Sequence, residues 1–213
     1  MKQVKVLHED FDQLQRTYGD SSLNAIYGAG CVENPDVCFV FMNPTARNIA
    51  SSKEWHGLRA PWIGTKTVWS LFSDIGRFSK TLLNEIRLKK IVEWNSELAE
   101  KVYQEIAKNS LYITNLSKAT QLDARPLSNK IFKEYLKLFW DEMEIINPRL
   151  IIAFGNQVSS LILSENIKMS KMHGKLFEKN DFKIGVTYYP VGQGRRNMPI
   201  AIKDIKKFIE ELL

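Results

Sequence analysis

The chain is poor in the residues that build metal centres and redox sites. Cys31 and Cys38 are its only cysteines and His8, His56 and His173 its only histidines. Two cysteines cannot form a four-cysteine zinc or iron–sulfur site, and their spacing is wider than a redox Cys-x-x-Cys. The histidines are scattered and lack ligand-spaced partners, so neither a metal nor another cofactor is expected. No run approaches the roughly 18 apolar residues of a membrane span, and the charged N-terminal residues do not read as a secretion signal. No Gly-x-x-x-x-Gly-Lys-Ser/Thr loop or Gly-x-Ser-x-Gly elbow is present. Phe154-Gly-Asn156 is too sparse for a dinucleotide fingerprint, and Gly28-Ala-Gly30 precedes a strand and reads as a turn. The acids Asp36, Asp123 and Asp181 show no spacing that implies paired carboxylates. Internal repeats and low-complexity tracts are missing too.

What is there suits one domain spanning residues 1–213. Hydrophobic residues make up 44% of the 213-residue chain and the formal net charge is +6. That length supports one substantial core. The positive excess is compatible with a polyanionic partner or with solubility alone. A cytoplasmic, monomeric protein without a membrane partner is the expectation.

Apolar periodicity predicts a helix over 8–18, a buried strand over 37–42, and helices over 65–75, 79–90 and 96–108. It then predicts a strand over 111–114, a helix from Ser128 to about Asn147-Pro148, and a strand over 150–154. A helix over 157–163, a strand over 183–188 and a helix over 200–212 follow. The strand cores are continuous and apolar, as in a parallel sheet covered on both faces. The predicted fold is an α/β, three-layer α/β/α sandwich around a mainly parallel four-stranded sheet. The polar connection over 43–64 is long enough to suggest a functional loop.

Polar side chains gather at the strand ends. Cys38-Phe-Val-Phe-Met-Asn-Pro-Thr45 ends an apolar strand in an asparagine and a proline. Ile113-Thr-Asn115 offers a second carboxamide. Thr187-Tyr-Tyr-Pro190 offers hydroxyls, followed by Arg195 and Arg196. Open parallel sheets present ligand-binding groups at this edge, so the pattern suggests a pocket for a planar polar ligand.

Five segments in order resemble the uracil-DNA glycosylase superfamily from about Val37 to the C-terminus. Phe41-Met-Asn-Pro-Thr45 is similar to the first catalytic motif in the asparagine version of the mismatch-specific and single-strand-selective branches. Gly57-Leu-Arg-Ala-Pro-Trp-Ile-Gly64 resembles the base-stacking loop. Tyr112-Ile-Thr-Asn-Leu-Ser-Lys118, with Arg125-Pro126, resembles the pyrimidine-reading segment. Asn147-Pro-Arg-Leu-Ile-Ile-Ala-Phe-Gly155 resembles the third strand and its turn. Gly174 and Val186-Thr-Tyr-Tyr-Pro190 resemble the last strand and second catalytic motif. The later two cysteines of the iron–sulfur branch are missing, as Ala119 and the Ile131-Phe132 region show. Tyr189 stands where histidine is usual, and Phe41 and Thr45 replace small glycines.

The resemblance implies a monofunctional DNA glycosylase acting on uracil or a related damaged base. Asn43 would place the water, or bond its own turn. Asn115 would read the base edge, or cap the turn. Trp62 would stack on the flipped base, or pack in the core; Met42 joins these two as a base-contacting candidate. Tyr189 would steady the leaving base, or pack against the sheet. Arg195, Arg196, Asn197 and Lys118 are the DNA-binding candidates, with a solvated basic turn as the alternative for the arginine pair. DNA, single- or double-stranded, is the implied partner. The competing readings are a nucleic acid binding protein of this fold with weak or no catalysis, and a nucleobase or nucleotide binder.

Overall fold

A computed structural model describes residues 4–125 and 127–213; Pro126, quoted above with Arg125, lies outside the described residues. Among these residues the strands are β1 (Ala29–Gly30), β2 (Val37–Phe41), β3 (Leu111–Asn115), β4 (Leu150–Phe154), β5 (Lys175–Lys179) and β6 (Phe182–Thr187). The helices are α1 (His8–Tyr18), α2 (Thr67–Asp74), α3 (Lys80–Leu88), α4 (Ser96–Lys108), α5 (Asn129–Ile146), α6 (Gly155–Leu163), α7 (Met169–Met172) and α8 (Met198–Leu212). No described helix is long and apolar enough to cross a membrane.

Sequence punctuation sets several of these boundaries. Ser79, Asn95 and Ser128 cap α3, α4 and α5 by accepting a backbone N–H with their side-chain oxygen. Helix α5 stops where Asn147 turns left-handed, at φ 50°, just before Pro148.

The sheet corrects the four-stranded, mainly parallel expectation. Its order is β1-β3-β2-β4-β6-β5, six strands of mixed direction. Strands β3, β2, β4 and β6 run parallel. Both outer strands, β1 on β3 and β5 on β6, are antiparallel. The two edge strands escape a search for apolar runs for different reasons. Strand β1 has only two residues. Strand β5, Lys-Leu-Phe-Glu-Lys, exposes its charged residues and has no fully buried position. Its connection to β6 is a two-residue turn with Asn180 at φ 49° and Asp181 at φ 64°, the handedness that matches strand twist in a hairpin.

Each face of the sheet carries its own core. Val37, Phe39 and Phe41 of β2 point into one, built with α2, α3, α4 and α8. Cys38 and Val40 point into the other, built with α1, α5, α6 and α7. This alternation makes β2, β3 and β4 buried at every residue. Because β2, β3 and β6 are parallel, the loops after all three leave from one edge.

Candidate active site

Beyond the end of the sheet, the chain after β2 and the chain after β3 continue side by side. Leu116 N donates to Phe41 O at 2.8 Å, and Ser117 N to Met42 O at 3.1 Å. Gln121 N donates to Pro44 O at 3.1 Å, and Ala46 N to Gln121 O at 2.8 Å. Asn43 is therefore held between two fixed carbonyls. Its Nδ2 donates to Pro44 O at 3.1 Å. A carbonyl only accepts, so this contact fixes which end of the carboxamide is nitrogen. The side chain does bond its own turn, and its oxygen takes no hydrogen bond among the described residues.

Asn115 pairs with Phe41 in the β2–β3 register. The residue is buried, and its Nδ2 has no hydrogen-bond partner. An unpaired buried amide costs about 1–3 kcal/mol. Strand alternation turns Asn115 toward the face of Leu111 and Ile113, the same face that Phe41 enters.

The stacking-loop tryptophan is held by consecutive carbonyls. Arg59 O accepts from Tyr27 N at 2.9 Å, Ala60 O from Asn48 Nδ2 at 2.7 Å and Pro61 O from Tyr103 Oη at 2.6 Å. Trp62 O accepts from Thr65 Oγ1 at 2.7 Å, and Ile63 O from Ile49 N at 3.1 Å. The Arg59 side chain ties this loop to the N-terminal helix. It lies 4.4 Å above the Tyr27 ring, bonds the Tyr27 hydroxyl and pairs with Asp12 at 3.4 Å. Trp62 itself has φ 67°, a left-handed conformation that costs a bulky residue about 1–3 kcal/mol. Its ring meets Phe41 edge-on at 4.9 Å between centroids, and its Nε1 is buried without a partner.

Tyr189 reaches the same aromatic group from β6. Its ring stands perpendicular to Phe41 at 6.0 Å. Burial pushes the phenol well above its ordinary pKa, so the hydroxyl stays protonated. The loop behind it folds back tightly: a Cβ at Gly194 would lie 2.1 Å from Tyr189 O, so only glycine fits.

Phe41, Trp62, Asn115 and Tyr189 thus share one face and one end of the sheet, with Asn43 just beyond. Phe41, flanked by Phe154 at 4.6 Å, forms an aromatic floor among them. Two surface concavities, of about 180 and 850 Å³, lie elsewhere, between α3 and α4 and beside α5 and α6.

The other candidates separate from this group. The Met42 side chain packs into the opposite core, because it alternates with Phe41, so it does not meet Trp62. Arg195 and Arg196 are exposed on the turn Gly192–Asn197 that leads into α8, and neither forms an ion pair among the described residues. Asn197 is half-buried beside them.

Lys118 corrects its assignment to the DNA surface. It is fully buried. Its Nζ donates to Glu142 Oε2 at 2.7 Å, Thr114 Oγ1 at 2.7 Å and Asn115 O at 2.6 Å. The ammonium also lies 4.9 Å from the centre of the Phe11 ring. A buried charge needs such partners, and none remains for phosphate. Lys118 instead fixes the backbone of Asn115 from behind. The sequence held a signal for it: Glu142 falls on the buried stripe of α5 with Tyr135, Phe139 and Met143, and an acid there requires a buried partner.

The chain matches the uracil DNA glycosylase superfamily over residues 27–213. It belongs to that superfamily. No curated protein matches the sequence significantly.

Proposed function

We propose that the protein is a monofunctional DNA glycosylase that hydrolyses the N-glycosidic bond of uracil or a related damaged base. The observation that carries this reading is the buried Asn115 nitrogen left without a partner beside Trp62. A donor held dry and unpaired is suited to an acceptor brought by a ligand, and a pyrimidine carbonyl supplies one.

The chemistry follows from the group at each strand end. Bond cleavage leaves positive charge on the sugar and negative charge on the departing base. The target base first leaves the stack. Trp62 offers a ring face and Asn115 a donor to the base. The neutral Tyr189 phenol offers a proton donor to its developing negative charge. Asn43 presents its amide oxygen to a water. A carboxamide has no useful basicity, so it orients that water without deprotonating it. Such a site favours bases that leave readily as anions.

The test is release of free base from single- and double-stranded oligonucleotides carrying uracil, then from a panel of damaged bases. Wild-type protein is expected to release at least one. Asn43→Ala is expected to slow that release about 100-fold, in the range for loss of one well-placed polar group. Failure of the wild type across the whole panel rejects the activity.

A second reading, DNA binding without cleavage, is favoured by one observation. Phe41 and Tyr189 fill positions where the superfamily pattern has smaller or more polar residues. It predicts salt-sensitive binding with no base released.

A further inference from the structure

The turn between α3 and α4 holds three aliphatic side chains out in solvent. Leu88 is 85% exposed, Ile91 54% and Val92 88%. Single exposed aliphatics are ordinary, but three within five residues form a patch. Folding does not require them there, since the turn is anchored by other residues. Ile86 before it and Trp94 after it are buried in the core. Lys90 N donates to Glu93 Oε2 at 2.5 Å, and Leu98 N to Asn95 Oδ1 at 2.9 Å.

Basic residues surround the patch. Arg87, Lys89 and Lys90 lie within the turn, and Lys66 reaches in to donate to Arg87 O at 2.7 Å. Of the neighbouring acids, Glu85 pairs with Lys101 at 2.6 Å, and Glu93 is occupied by the Lys90 backbone. The face left over is aliphatic and positive.

Its position matters as much as its composition. Helix α2 leaves the strand-end edge of the sheet and α3 returns to it, so the turn stands at the edge that carries Trp62. The two segments touch: a Cβ at Gly57 in the stacking loop would lie 2.8 Å from Ser96 Cβ.

We infer that this turn is a second DNA contact, separate from the arginine turn before α8. Lys89 and Lys90 meet phosphates, while Leu88, Ile91 and Val92 press on the sugar and base edges of the duplex beside the extruded nucleotide. Leucine and isoleucine wedges serve this purpose in proteins that unstack base steps. A basic rim selects a polyanion over an uncharged partner. The inference rests on the glycosylase or DNA-binding reading, whose failure looks different from its own.

The experiment measures binding of a fluorescent uracil-containing duplex across a salt series. It compares wild type with Leu88→Ser/Ile91→Ser/Val92→Ser and with Lys89→Ala/Lys90→Ala. The lysine pair is expected to reduce the slope of log K against log salt by about 1.8, for two phosphates lost. The serine triple is expected to weaken binding roughly tenfold with the slope unchanged, as for loss of apolar contact alone. All changed side chains lie at the surface, so thermal unfolding serves as the folding control. If the wild type binds DNA and both variants match it, the second contact is rejected while the glycosylase reading stands. If the wild type binds no DNA, both fall. If the serine triple leaves DNA affinity intact but abolishes self-association in sedimentation, the patch is a protein contact and the inference is overturned.

Discussion

Two side-chain nitrogens sit within four residues of each other at the end of β3, both out of contact with water, and they are treated in opposite ways. Lys118 Nζ is bound by a carboxylate, a hydroxyl and a carbonyl. Asn115 Nδ2 has no partner. They point to opposite faces of the sheet, Lys118 toward Glu142 on α5 and Asn115 toward the core shared with Trp62. The fully satisfied group is finished by folding and acts as structure. The unsatisfied one stores a deficit that a ligand can remove. Burial alone does not distinguish a core residue from a binding residue; the count of hydrogen bonds left open does.

The largest effect expected from breaking this contrast falls on stability. Lys118→Met leaves the Glu142 carboxylate buried without its cation and is expected to cost about 3–5 kcal/mol, read by chemical denaturation. Lys118→Met with Glu142→Leu is expected to recover most of that loss, because neither charge then remains. A single variant that unfolds like the wild type would show that Lys118 is not the structural member of the pair.

Asn115→Ala sharpens the other side. It removes an unpaired buried amide, so the unfolding free energy is expected to stay level or rise slightly. Base release is expected to fall about 100- to 1,000-fold, the range for deleting one preorganised donor. A loss of stability of about 2 kcal/mol or more, the upper part of the range for a buried group left unsatisfied, would mean that the amide supports the fold and not the ligand.

The regular elements of both layers were legible before any coordinates. Helix α4 falls on the predicted 96–108, and α5 starts after Ser128 and stops before Pro148 as its punctuation indicates. Caps, proline and period act locally, so a local reading finds them. Strands β1 and β5 were not legible, since a two-residue strand has no period and a half-exposed charged strand resembles a loop. Within the site, the residue types at the ends of β2 and β3 could be read, but the face each takes depends on register. Alternation sends Phe41 and Met42 to opposite cores, which removes Met42 from the base-contacting group. Lys118 was misread because its partner lies 24 positions away on another element. The acid on the apolar stripe of α5 was the missing clue.

Tyr189 offers the smallest and most discriminating test, because its ring belongs to the aromatic floor while its hydroxyl belongs to the proposed chemistry. Tyr189→Phe keeps the packing on Phe41 and deletes only the oxygen. If the phenol steadies the leaving base, release slows about tenfold, the worth of roughly one hydrogen bond, with thermal stability nearly unchanged. The pH dependence separates this from a packing role. The phenol donates while protonated, and burial raises its pKa above the ordinary 10.0, so its contribution persists through neutral and mildly alkaline pH. It is lost only as the pH rises through that raised value. Wild-type release measured from pH 7 to pH 10 is therefore expected to show no decline from Tyr189, and the ratio of wild type to Tyr189→Phe is expected to stay constant. A ratio that collapses toward one well below pH 10 would show that the donor titrates as an exposed phenol or a different group. Tyr189 would then join Lys118 among the residues whose work is complete once the chain has folded.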